Sequence, residues 1–185
     1  MEPLEPIAAL LFALAAGCLV LAPLFPLSGT GKGYPAFMAT NGLVFALCAA
    51  AWHRDGWAYL VGLASGGSAV STTGAQGALL GGVAGAVFAA VALALLVTPL
   101  ASHGGAVLGV GGIVSLAGCW VGAPGRTGVA MASSALLLGA VYHAMILGHW
   151  FLVKTDLPLR LLKRAVVALG LSLVLRALVF ASGAL

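Results

Sequence analysis

The stretch AVYHAMILGHWFLVK, residues 140–154, places His143 and His149 in an otherwise apolar run that ends at a charged loop. Imidazole is the commonest metal ligand and carries protons near neutral pH, so the spacing of the two rings decides what they can do. Six helical residues turn through about 600°, which sets the rings about 120° apart around the axis and about 9 Å apart in depth. They cannot share one metal on one face, because a zinc pair of the HExxH type needs i, i+4 spacing. His149 precedes Trp150 one turn before Lys154, the setting of a polar tip at headgroup level beside an anchoring Trp. His143 lies about 15 Å from the helix end expected at 153, near the bilayer midplane, where ionisable groups are costly and mark function. It is therefore expected to face a bundle or subunit interface, neutral and hydrogen-bonded, because a polar ring against lipid would forfeit its bonds. Tyr142 beside it offers a second polar tip.

Arg176 extends this candidate site. It follows Arg164, the end of the basic loop, at about the spacing by which His143 precedes Lys154, the loop's start. Antiparallel neighbouring helices would bring the two to similar depth. A midplane arginine needs acceptors, yet the four acids, Glu2, Glu5, Asp55 and Asp156, all stand near a terminus or in turns. Its expected partners are backbone carbonyls, Asn41, Gln76, serines, an anionic ligand or a carboxylate of another chain, with His143 and Tyr142 as neighbours; the alternative is that it snorkels to the outer surface. His103, His149 and His53 supply a further option, the axial ligation of a haem b between helices, although His53 and His103 stand in turns.

Catalytic signals are absent from the chain. GTGKG, residues 29–33, lacks the spacing of a phosphate-binding loop. Ser65, Ser68 and Ser71 have no paired base, and no two carboxylates are placed for acid–base work. Cys18, Cys48 and Cys119 have no CxxC spacing and read as small apolar packing residues. Proton pumps and cation antiporters generally use intramembrane acids, which the predicted spans do not contain.

The elements that must position these residues follow from composition. The chain has 185 residues, 62% hydrophobic and 6% charged, against about 25% charged for a soluble domain. No charged residue stands between Asp55 and Arg126, a gap long enough for three spans of about 20 residues each. The expectation is an all-α, polytopic transmembrane helical bundle forming one integral membrane domain over residues 1–185. Residues 5–28 read as the first membrane helix, since the segment ahead of the apolar run carries Glu2 and Glu5 and no basic residue, unlike a signal peptide. Polar or Gly/Pro turns divide the chain into seven segments, about 5–28, 35–52, 57–73, 78–100, 105–122, 128–153 and 158–183. Segment 57–73 is short and rich in small residues. As a true span, favoured by Trp52 and Trp57 flanking the 53–56 turn, it gives seven crossings. As a re-entrant segment it gives six.

The basic residues divide five against two in either arrangement, with Lys154, Arg160, Lys163 and Arg164 always on the rich side. Arg54 completes that side with seven spans, and Lys32 with six. The positive-inside rule then places loop 154–164 in the cytoplasm and the C-terminus outside, in a cell inner (plasma) membrane. The net charge of +4 reflects this clustering and implies no nucleic-acid partner. Small-residue faces at Gly62/Gly66, Gly77/Gly81/Gly85, Gly105/Gly109 and Gly118/Gly122 suit close helix packing. With negligible mass outside the bilayer, the expected role is a non-catalytic multi-pass subunit of a larger membrane assembly, the respiratory and photosynthetic redox complexes of electron transport being the class in view. Its partners would be the lipid bilayer and other membrane subunits. The alternative is a small transporter or channel for a neutral or anionic solute, with a midplane His143/Arg176 site.

Overall fold

The computed structural model describes residues 5–52, 73–122, 125–154 and 156–183. Among them the protein is entirely helical. Its helices are α1 (Glu5–Leu21), a short α2 (Leu27–Thr30), α3 (Gly33–Trp52), α4 (Thr73–Leu96), α5 (Gly104–Gly122), α6 (Arg126–Val153) and α7 (Leu159–Ala181). Water is absent from hydrocarbon, so backbone polar groups must bond within the chain, and helices achieve this segment by segment. Three stretches are long and apolar enough to cross a membrane, Pro99–Gly118, Arg126–Val153 and Leu159–Ala181, and shorter apolar helices cover Ala9–Leu24, Gly33–Ala49 and Val83–Leu96.

Proline and glycine punctuate the bundle. Pro23 opens the 3-10 turn Ala22–Leu24 that ends α1. Gly31, at φ +70°, reverses the chain into α3, a left-handed conformation that costs glycine little. After α4, Thr98 caps the 3-10 turn Pro99–His103, its hydroxyl accepting from the Leu100 amide at 3.2 Å. Pro158 precedes α7 with extended backbone.

Helix α1 is central and packs on α3, α5 and α6. Contact order along each pair gives the directions. Phe12 clusters with Ala49 and Leu19 meets Gly42, so α1 and α3 are antiparallel. Val20 meets Gly112 and Pro23 meets Gly109, so α1 and α5 are antiparallel too. Met131 packs beside Phe12 and Gly139 meets Gly17, so α1 and α6 are parallel. Between α4 and α5, Gly85 meets Ser115, Gly111 meets Phe88 and Gly104 meets Leu96. Helices α1, α4 and α6 therefore run one way, and α3, α5 and α7 the other.

Helices α3 and α4 are thus antiparallel. Most of segment 57–73 lies outside the described residues, as does His53. The basic side chains sort by end. At one end, a Cβ on Gly31 would stand 3.9 Å from Lys154 Nζ, and Arg164 reaches the Leu24 carbonyl at 3.1 Å. At the opposite end, Arg126 approaches the Gly183 carbonyl at 3.5 Å.

The tightest helix contact is between α1 and α6. A Cβ on Gly139 would lie 2.5 Å from the Gly17 carbonyl oxygen, and one on Gly17 would collide with the Ala135 carbonyl. Ala13, Ala16 and Ala135 cluster beside this crossing. Small residues let the backbones touch, which supplies the dispersion contacts that replace a hydrophobic drive in lipid. Of the glycine faces expected to pack, Gly85 and Gly109 do so, against Ser115 with Leu19 and against Pro23, while Gly105 has no neighbour within 4 Å of a would-be Cβ.

Two outcomes are expected. Gly139→Val overpacks the crossing at a cost of about 1–3 kcal/mol and lowers the thermal midpoint of the purified protein, whereas Gly148→Ala, with open space around it, leaves the midpoint in place. In a background without native cysteines, Lys32→Cys and Lys154→Cys label with an impermeant maleimide from the same side of the membrane. Labelling from opposite sides would instead match seven crossings.

Candidate functional site

His143 is buried to 0% exposure, a turn beyond Gly139 on α6. Its Nε2 lies 2.9 Å from the Cys18 carbonyl oxygen, and its Nδ1 lies 2.8 Å from the Tyr34 hydroxyl. A carbonyl only accepts, so Nε2–H donates to Cys18. Nδ1 then accepts from Tyr34, and the two bonds use the one donor and one acceptor of a neutral imidazole. Cys18 stands in the last turn of α1, where helix carbonyls are open to side-chain donors.

Aromatic rings close the site. Phe25, turned inward between Pro23 and Pro26, stacks on the imidazole at 5.0 Å and 14° and meets Tyr34 edge-on at 5.7 Å. Tyr34 enters from the first turn of α3, beneath Trp150, whose ring stands 6.1 Å away at 83°. Met38, Leu147 and Leu161 complete the surrounding core. The arrangement is a polar cross-link between α1, α3 and α6 inside an aromatic box. Every buried side-chain nitrogen and oxygen among the described residues has a hydrogen-bond partner. Neither ring nitrogen of His143 is left for a metal or a solute.

The expected neighbours of His143 are elsewhere. Tyr142 points away, its ring edge-on to Phe45 at 5.7 Å. Arg176 donates from Nη1 to the Ala130 carbonyl at 3.0 Å and to Ser133 Oγ at 3.2 Å, ten residues before His143 along α6 and so about 15 Å away in depth. The shared His143/Arg176 site therefore does not form. The reason is register. Arg160, Lys163 and Arg164 already belong to α7, which begins at Leu159. Arg176 is thus about 26 Å into its helix, whereas His143 is about 15 Å from the end of α6.

His149 is exposed in the last turns of α6. Its neighbour Trp150 packs on Phe37 as well as Tyr34, at 6.2 Å from the former. His103 is exposed at the end of the second 3-10 turn, its Nδ1 3.3 Å from Ser102 Oγ. That turn packs mainly on α4 and α5, whereas His149 stands on α6. No group of three potential metal ligands occurs among the described residues. Tyr34 and Phe25, which build the site, carry only a faint sequence signal, an aromatic beside each proline-marked turn. The Cys18 carbonyl carries none.

No family model matches the chain, and no curated protein or solved structure does either. The functional reading rests on the residues themselves.

The cross-link predicts an order of stability. Tyr34→Phe removes one intramembrane hydrogen bond, worth about 0.6–1.7 kcal/mol in bilayers. His143→Leu removes both and strands the Tyr34 hydroxyl, with unsatisfied buried groups costing about 1–3 kcal/mol each. His149→Gln changes an exposed residue and is nearly neutral. Thermal midpoints in one detergent should fall in the order His149→Gln, Tyr34→Phe, His143→Leu.

Proposed function

We propose that the chain is a non-catalytic, multi-pass subunit of a larger membrane assembly, a redox complex of the respiratory or photosynthetic kind being the class in view. In this reading it crosses a cell's inner (plasma) membrane six times. The end bearing Lys32, Lys154, Arg160, Lys163 and Arg164 faces the cytoplasm under the positive-inside rule, and α1 begins and α7 ends outside.

The observation that carries the proposal is Arg176. Among the described long helices, α7 packs substantially on α6 alone, and it exposes Leu171 and Leu178 on one side and Phe180 on the other, at 67%, 63% and 68%. Lipid accommodates those side chains, whereas a guanidinium about 7–8 Å from the end of α7 must reach headgroups or another acceptor. Arg176 uses only Nη1 toward its own chain, whereas arginine has five donors in a planar fork. Its remaining N–H groups have no partner among the described residues, and none is buried without one. They are open to an acceptor outside the bundle. A carboxylate or carbonyl on a neighbouring subunit's helix answers that need, since intramembrane charges pair with one another or with backbone carbonyls.

The experiment is affinity purification of the tagged chain from its own membranes in a mild detergent, read by native mass spectrometry. A stoichiometric membrane partner is expected. It should be lost in Arg176→Leu while the thermal midpoint of the isolated chain changes by less than for His143→Leu. Visible absorbance of the intact assembly reports whether it carries redox cofactors. A wild-type chain that purifies alone, and that moves a small neutral or anionic solute across liposomes unaided, would overturn the subunit reading in favour of a transporter.

A further inference from the structure

A groove of about 540 Å³ opens on the basic end of the bundle, between the 3-10 turn after α1 and the first turns of α7. Its chemistry changes along its length. Lys163 and Arg164 stand at the mouth, about 6–8 Å into α7, and Val167, Ala168 and Leu171 continue it to about 18 Å along an apolar wall faced by Pro23 and Leu24. Arg164 is fixed there by the bond from its Nη1 to the Leu24 carbonyl at 3.1 Å. One nitrogen anchors the guanidinium to the groove wall, and the rest of the planar fork remains for an oxyanion, the geometry that suits phosphate. Lys163 is exposed beside it.

We infer that this groove binds an anionic phospholipid, its phosphate on Lys163 and Arg164 and one acyl chain along Val167, Ala168 and Leu171. Charge complementarity selects that occupant. Lys32, Lys154 and Arg160 share this end of the bundle, and the carboxylate described there, Asp156, does not line the groove. Basic pockets between helices on the cytoplasmic side recognise anionic headgroups on this principle. A zwitterionic lipid presents the same phosphate with its own cation attached, and so gains less from the cluster. A helix of a partner subunit would meet two unpaired cations at the mouth unless it supplied acids there. A free phosphate would leave the apolar length empty.

The test uses the full chain purified in dodecylmaltoside and titrated in native mass spectrometry with phosphatidylglycerol, with phosphatidylcholine of the same chains, or with inorganic phosphate. One phosphatidylglycerol is expected to bind at least tenfold more tightly than phosphatidylcholine. Inorganic phosphate at the same concentrations should give no adduct. Lys163→Gln should reduce the preference several-fold, and Lys163→Gln with Arg164→Gln should abolish it. Val167→Trp, which fills the acyl wall and leaves both cations, should weaken both lipids. If the double variant does not fold, Lys163→Gln and Val167→Trp decide the matter. Equal affinity for the two lipids, a preference unchanged in Lys163→Gln, a lipid affinity unchanged in Val167→Trp, or phosphate alone binding as well as the lipid would each overturn the inference.

Discussion

At Gly17 and Gly139 the backbones of α1 and α6 touch with no side chain between them, and the interior chemistry depends on that contact. Cys18 is the next residue on α1, and His143 is one turn further along α6. Only because the two backbones approach this closely can the imidazole reach a carbonyl belonging to another helix. Once that bond sets the ring, its second nitrogen is presented to Tyr34, and Phe25 and Trp150 pack around the pair. A methyl group at either glycine would therefore disturb a steric contact and, through it, the polar link that orders three helices.

The same economy recurs in the other layers. Gly111 admits Phe88, Gly109 admits Pro23 and Gly42 admits Leu19, so most interfaces seat one larger side chain opposite one missing side chain. Such pairs specify register without polar groups, which hydrocarbon penalises when they are unpaired. Among the described residues, polar side chains tie helices together at the His143 box and at the Arg176 seam on Ala130 and Ser133, besides the bonds of Arg164 and Arg126 at the bundle's ends. The first uses both nitrogens of its ring and works as an internal tie. The second leaves donors of Arg176 without a partner among the described residues.

Composition made the helical class legible, because so few charges over so long a chain leave only membrane helices as an outlet for the apolar surface. Turn residues placed most boundaries within a few positions, and the helical period showed that His143 and His149 cannot act as a pair. Four things were hidden. Register between α6 and α7 was misjudged because charge marks the loop while Pro158 marks the helix start, and the basic residues straddle both. The crossing at Gly17 and Gly139 belongs to AxxxG spacings, Ala13 with Gly17 and Ala135 with Gly139, which are less conspicuous than the GxxxG repeats at 77–85 and 105–109. The acceptor for His143 is a backbone carbonyl, which every residue possesses and no sequence distinguishes. The direction of α4 relative to α3 is likewise a tertiary property.

The placement of α1 has a consequence for how the protein is made. About 120 residues separate Gly17 from Gly139, so at synthesis rates of about 5–20 residues per second the notch on α1 waits roughly 6–24 s for the helix that fills it. Until then the Cys18 carbonyl has no imidazole, and the bare glycine surface adjoins lipid or the insertion machinery. Helices α3, α4 and α5 can assemble around α1 in the meantime, since their contacts with it do not involve α6. Until α6 is made, the bundle therefore has one open groove on α1, which α6 closes late.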